Sequence, residues 1–164
     1  MIINGTDKIK TDEGIYIELV CDKLTKERLN NYVRKYIDPV SDFDDFHTTL
    51  IYSKNKFEGN VTVDLSLDKI YTKAKEFKKF INQDGTTAVV LELQCLACIE
   101  LHNTLMKSYD FKYDFDEYIP HITLTYDGAN VDTDNMPLPN FMIKFDTINI
   151  EPLNANYVEE INKK

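Results

Sequence analysis

The chain has 164 residues, 43% of them apolar and 12% aromatic, which excludes a disordered chain and fits one compact domain. A formal net charge of −9 excludes a long basic footprint on polymeric nucleic acid but leaves room for a small anionic ligand held by a few local donors. No stretch approaches the roughly 20 apolar residues of a membrane span, and the start, MIINGTDKIKTDEG, lacks the basic and apolar regions of a signal peptide, so a cytoplasmic protein is expected.

Residues 1–12 are polar and expected to be a loose tail, as are 155–164. After Gly14, IYIELV is apolar, β-branched and Tyr-containing, as a strand is. Thr25 reads as the N-cap of a helix over KERLNNYVRKYI, with Leu29, Tyr32, Val33 and Tyr36 at helical spacing and Asp38-Pro39 as its stop. The acidic run SDFDDF, with Asp42, Asp44 and Asp45, reads as a solvated loop. HTTLIYS follows as a strand in which strict alternation puts His47, Thr49 and Ile51 on one face and Thr48, Leu50 and Tyr52 on the other.

VTVDLSL alternates as a half-buried strand does, and strand character continues through IYTKAKEFKKFI to a turn at Asp84-Gly85. TTAVVLELQ then closes a hairpin. A second helix is expected from Leu96 to Met106, with Ile99, His102, Leu105 and Met106 on one stripe, which makes His102 a core histidine. IPHITLTY is a further strand, with His121, Thr123 and Thr125 expected to share a face, and FMIKFDTINI is the last long one. Cys21, Cys95 and Cys98 are odd in number. The Cys95/Cys98 pair lacks a second CxxC or His pair for zinc, so buried reduced thiols are expected. Strands and helices mix without βαβ periodicity and each half places an HxT strand after a helix, so the fold class expected is α+β with an approximate internal two-fold.

The two HxT strands carry chemistry. On a strand, residues two apart share a face, so His47 with Thr49 and His121 with Thr123 each project together. Brought side by side they offer two imidazoles and two hydroxyls to one small volume. A neutral histidine can take the proton of an attacking hydroxyl while a protonated one serves the leaving oxygen. The threonines can donate to the non-bridging phosphate oxygens as charge builds there. No cofactor or metal is expected in such a site. The near-equivalence of the motifs leaves open which histidine is the base.

HTTL and HITL, about half the chain apart, resemble the paired signatures of the LigT-like 2H phosphoesterases. The longer series EGIYIEL, DFHTTLIYS, DGTTAVVLEL, DEYIPHITLTYD and INIEPL resembles the phage anti-CBASS nucleases, a family that degrades the cyclic di- and trinucleotide signals of bacterial immunity. The resemblance implies a single two-lobed domain over 1–164, with mostly antiparallel sheets in two pseudo-symmetric halves, helices outside and a cleft between the HxT strands. It implies metal-independent hydrolysis of 3′–5′ bonds in small cyclic oligonucleotides such as 3′,3′-cGAMP, in the host bacterial cytoplasm. It places His47, Thr49, His121 and Thr123 at the catalytic positions and Tyr16 at a base-stacking aromatic. Phe80 stands where the family carries a Trp that closes over the ligand, and Glu151 where an acidic residue reads an adenine amino group. Tyr118, beside the second motif, reads either as a pocket residue that binds substrate or as a packing aromatic. Lys54, Lys56 and Lys112 are candidates to offset the negative field. The same four catalytic residues would also serve opening of RNA 2′,3′-cyclic phosphates or cleavage of 2′–5′ oligoadenylate, and a nucleotide sponge would bind without chemistry.

Overall fold

The computed structural model describes residues 3–37, 46–65, 70–113 and 117–153. The acidic run at Asp42, Asp44 and Asp45, the Asp38-Pro39 helix stop and the tail from 155 lie outside them. The N-terminal stretch expected to be loose instead carries two short strands. β1 (Ile3–Gly5) and β2 (Ile9–Thr11) each find an antiparallel partner further along, β6 (Thr62–Asp64) for β1 and β5 (Phe57–Gly59) for β2. Sequence polarity hides them because their partners are non-local.

β3 (Ile15–Cys21) sends Ile15, Ile17, Leu19 and Cys21 into the core and Tyr16, Glu18 and Val20 to the opposite face, which is also covered. α1 (Lys23–Tyr36) begins three residues earlier than expected. Asp22, not Thr25, is its N-cap, with Asp22 Oδ1 accepting from the Thr25 backbone N–H at 2.8 Å. Thr25 is buried and its hydroxyl oxygen accepts from the Lys144 N–H at 3.1 Å, tying the first turn to the last strand. Leu29, Tyr32 and Val33 form the inward stripe, and the helix ends where Ile37 turns extended.

β4 (His47–Ser53) pairs with β3, and β11 (Ile143–Pro152) pairs with β3 on its other side. β7 (Tyr71–Thr72) completes a four-stranded sheet of order β4-β3-β11-β7. The expected hairpin is present as β8 (Ala74–Ile81) and β9 (Thr87–Leu93), turned at Gly85, whose φ is +86°. Its Asp84 carboxylate accepts from the Thr86 N–H and hydroxyl. α2 (Leu96–Ser108) follows, with Cys98, His102 and Leu105 inward, and β10 (His121–Thr125) pairs with β9 to give a second sheet, β10-β9-β8.

All pairings among the described strands are antiparallel, and with two helices the architecture is α+β. The repeat expected from sequence is visible as strand–helix–strand twice: β3-α1-β4 and β9-α2-β10. One continuous apolar core joins them, each fully buried Leu, Ile or Phe in it contributing about 1.5–3 kcal/mol. The units also clasp each other. Tyr32 of α1 stacks near Phe77 of β8, and His102 of α2 bonds to the backbone of β4. β4 and β10, the two HxT strands, are the edge strands of their sheets, and the Tyr118 hydroxyl, just before β10, donates to the Thr49 carbonyl at 2.7 Å. All three cysteines are buried free thiols, as expected. Among the described residues no helix is long and apolar enough to cross a membrane.

Candidate active site

HTTLIY in β4 and HITLTY, which is β10 plus the Tyr126 that follows it, repeat one pattern, His-x-Thr-Leu-x-Tyr, and both strands bulge at its leucine. Thr49 faces Glu18 and Ile51 faces Ile17, leaving Leu50 as the extra residue. Thr123 faces Val90 and Thr125 faces Val89, leaving Leu124 as the extra one. A bulge breaks the alternation of side chains. Leu50 and Ile51 therefore both enter the core, as do Leu124 and Thr125, and Tyr52 and Tyr126 return to the side of the histidines. Strict alternation places Ile51 and Thr125 with the histidines and Tyr52 opposite; the bulges overturn all three placements. The repeated Tyr at the sixth position is the available signal.

The result is a cleft of about 130 Å³ lined by Tyr16, His47, Thr49, Tyr52, His121, Thr123 and Tyr126. All four HxT side chains thus meet in one space, together with three tyrosines. Among the described residues no three His, Cys, Asp or Glu groups are placed to hold a metal ion.

His121 is held by its own chain: Nδ1 lies 2.8 Å from the Ile119 carbonyl oxygen. A carbonyl only accepts, so Nδ1 carries the hydrogen, and in the neutral ring the lone pair is on Nε2. Burial pushes the His121 pKa below the ordinary histidine value, more than the Ile119 bond restores, and the nearby His47 pushes the same way. Phe80 meets this ring edge-on, centroids 5.4 Å apart at 89°. The aromatic at position 80 therefore stands beside the cleft without lining it.

His47 has a different neighbour, one that the sequence does not reveal. Glu18, only 6% exposed, brings Oε2 to 3.6 Å from His47 Nε2. The Tyr16 hydroxyl donates to Glu18 Oε2 at 2.9 Å and the Asn149 amide donates to Oε1 at 3.2 Å. Because that phenol proton is committed, the 3.0 Å contact between Tyr16 and Thr49 is a bond from the threonine hydroxyl to the phenol oxygen. Tyr16, 7% exposed, also sits edge-on to His47 and Tyr52. Glu18 is invisible in sequence because IYIELV reads as an apolar strand, and only pairing reveals that its one carboxylate faces the site.

The second sheet holds a matching buried carboxylate. Glu92 lies directly across from His121 and is 5% exposed. Burial alone would raise its pKa, but ion pairs to Lys78 at 2.9 Å and Lys75 at 3.2 Å outweigh that and hold the carboxyl below its ordinary range.

The remaining expected residues fall outside the lining. Tyr118 stacks on His102 with centroids 4.1 Å apart, behind β4. Glu151 is exposed on β11, in register with Tyr16. Lys54 lies over the Tyr52 ring at 5.9 Å, Lys56 pairs with Asp12, and the backbone N–H of Lys112 donates to the Ser53 hydroxyl. His102 is a buried core histidine as expected, its Nδ1 bonded to Leu50 and its pKa lowered by burial.

Comparison with known proteins gives two findings. The family model described as "Anti-CBASS protein Acb1" matches residues 13–160. The chain is 30% identical over 127 residues to the protein named Anti-CBASS protein Acb1 from Vibrio phage KVP40, an alignment covering 74% of this chain and 78% of that one.

Proposed function

The chain belongs to the Anti-CBASS protein Acb1 family, and on that premise we propose that it is a phosphodiesterase of the 2H type. It would open the 3′–5′ bonds of small cyclic oligonucleotide signals, such as 3′,3′-cGAMP, in the host bacterial cytoplasm and so counter CBASS immunity. The proposal includes the LigT-like two-lobed fold. It rests above all on the convergence of two HxT pairs, from facing edge strands, on one cleft.

In the proposed reaction a ribose 2′-hydroxyl, tethered next to the scissile phosphate, attacks phosphorus as one histidine takes its proton. The bond from phosphorus to the 5′-oxygen breaks, and the other histidine protonates that oxygen. The product is a 2′,3′-cyclic phosphate, which water opens with the histidine roles exchanged. Thr49 and Thr123 donate to the non-bridging oxygens; to do so Thr49 swings its proton from Tyr16 to the phosphate. The chemistry asks for no metal ion. The cleft is of a size to take the phosphate and its flanking ribose atoms, and the proposed base contacts are Tyr16 in its lining and, outside it, Phe80 beside His121 and the exposed Glu151. Tyr118 is proposed to support the site from behind, by fixing the Thr49 backbone.

The test is incubation with 3′,3′-linked cyclic dinucleotides in excess EDTA, with products resolved by anion exchange. Linear product is expected from the wild type and none from the His47→Ala/His121→Ala double variant, each single variant losing roughly 10²–10⁴-fold in rate. Intact ligand recovered quantitatively from a tight complex would instead identify a sponge. Turnover of the fully 2′-deoxy compound would refute the internal nucleophile.

A further inference from the structure

The two half-sites share a backbone design but differ in what stands behind each histidine. Glu92, opposite His121, is committed to Lys78 and Lys75 on β8. Glu18 has no lysine or arginine against it among the described residues. Among the described residues its partners are the neutral Tyr16 and Asn149, and the group near it able to become a cation is His47. Two neutral donors satisfy hydrogen bonds of a carboxylate without cancelling its charge, and a charge taken out of water calls for a partner of opposite sign. The groups around the pair are Tyr16 and Glu18 from β3, Tyr52 from β4, Asn149 from β11, and His121 and Tyr126 from the β10 side. Of these residue types only histidine ordinarily changes charge near neutral pH. On the other side, the Ile119 carbonyl fixes the proton of His121 on Nδ1 and leaves Nε2 free to accept.

Resting on the phosphodiesterase reading above, we infer that Glu18 is a positioning residue that makes the two histidines unequal. Its carboxylate is the counter-charge of the His47 imidazolium, so that His47 gives the proton to the leaving oxygen and His121 takes the proton from the attacking hydroxyl. During ring opening the 2′-hydroxyl proton passes to His121 Nε2 as the new oxygen–phosphorus bond forms. The bond to the 5′-oxygen breaks and that oxygen receives the proton of His47. The site ends with His121 charged and His47 neutral, set for water to open the cyclic phosphate in the reverse sense. Tyr16 links Glu18 to Thr49, so the same carboxylate also orients the threonine of the acid half-site.

Leaving-group dependence tests the assignment. Two substrates are compared: 3′,3′-cyclic di-AMP, whose leaving oxygen is an alkoxide, and a ribonucleoside 3′-(4-nitrophenyl phosphate), whose leaving group departs without a proton. Glu18→Gln is expected to slow the cyclic dinucleotide by about 10- to 100-fold, part of the roughly 10²–10⁴-fold that a positioned acid supplies. It should also move the alkaline limb of that profile to lower pH, and on the nitrophenyl ester the loss should largely vanish. Glu18→Asp should restore part of the rate. His121→Ala should slow both substrates, whereas His47→Ala should slow the cyclic one far more. Equal losses on both substrates for Glu18→Gln, or an unmoved profile, would reduce Glu18 to a structural role and overturn the inference. A substrate-free arm separates this from the function itself: ¹⁵N spectra of the imidazoles should show His121 with its proton on Nδ1 and a His47 titration displaced by Glu18→Gln. Identical His47 titrations in wild type and Glu18→Gln overturn the role of Glu18 alone. Wild-type protein inert toward both substrates overturns the phosphodiesterase reading and, with it, the donor and acceptor roles.

Discussion

Nδ1 of His102 lies 2.7 Å from the carbonyl oxygen of Leu50, the extra residue of the β4 bulge. A bulge leaves ladder groups unpaired, and here a helix of the other half-unit satisfies one of them. His102 therefore acts at a distance from the cleft, on the backbone turn that returns Tyr52 to the side of His47 and Thr49. His102→Leu removes the donor and leaves a buried carbonyl unpaired, a cost of about 1–3 kcal/mol. The urea midpoint should fall accordingly and turnover should drop with it, although residue 102 lines no part of the cleft. A variant as stable and active as wild type would show that the bulge holds itself.

Two buried histidines give the stability a pH slope of definite sign. Burial lowers the pKa of both His102 and His121. Unfolded histidines bind protons near pH 6.5, whereas the folded ones remain neutral further down. The unfolded state thus binds more protons below about 6.5, and stability must decline as pH falls from there toward the folded pKa values. Urea midpoints measured from pH 7.5 to pH 5 should decrease over that interval, less steeply in His102→Leu. For activity, a base with lowered pKa keeps its lone pair below the usual histidine range, so the acid limb of kcat/KM should lie under pH 6.5. An acid limb above pH 6.5 would exclude His121 as the base.

Much of this site is legible in the amino-acid sequence alone. The histidines and threonines announce themselves because a period-two strand fixes their faces locally. His102 announces its core role through its helical stripe. What stays hidden depends on pairing. The bulges at Leu50 and Leu124 exist only through register with β3 and β9, so alternation alone assigns Tyr52, Ile51 and Thr125 to the wrong faces. Glu18 gains its meaning from Asn149, 131 residues away. β1 and β2 pass for a loose tail because β6 and β5, their partners, lie beyond β4. The N-cap is misplaced for a local reason: Asp22 and Thr25 both suit the role, and Thr25 is already used by β11.

The tyrosines that the bulges deliver should bind rather than catalyse. Tyr52 and Tyr126 occupy equivalent places in the two HxTLxY strands and flank the same cleft. Two aromatics related in this way suit a ligand that is itself nearly two-fold, as a cyclic dinucleotide is. Stacking on a base is worth about 1–3 kcal/mol by alanine substitution. Tyr126→Ala should therefore weaken binding of a non-cleavable cyclic dinucleotide roughly 5- to 150-fold at similar kcat, measured by calorimetry alongside steady-state kinetics. Tyr52→Ala should behave likewise, with an added contribution from the loss of its contacts to Tyr16 and Lys54. A fall in kcat at unchanged affinity would move these residues into the chemistry.

Gly14 controls whether β3 can enter the site at all. Its φ is +114°, and an added Cβ would lie 1.8 Å from the Ser53 carbonyl oxygen and 2.9 Å from Lys54 Cα. These are backbone atoms at the end of β4, so no rotamer change relieves the contact. Its own carbonyl accepts from the Leu153 N–H at 2.8 Å, which pins it on the β11 side as well. Gly85 offers the matching control, with φ +86° but nothing within 4 Å of its added Cβ. Gly85→Ala should cost only backbone strain, about 1–2 kcal/mol. Gly14→Ala adds overpacking of about 1–3 kcal/mol or more. It should also force β3 away from β4 at the Tyr16–Tyr52 pair. Urea unfolding should therefore rank Gly14→Ala well below Gly85→Ala, and only the former should lose cyclic-dinucleotide turnover at temperatures where both remain folded. Equal midpoints would mean that the β4 end yields, and that the close approach at Gly14 is not what seats Tyr16 and Glu18 behind the histidine.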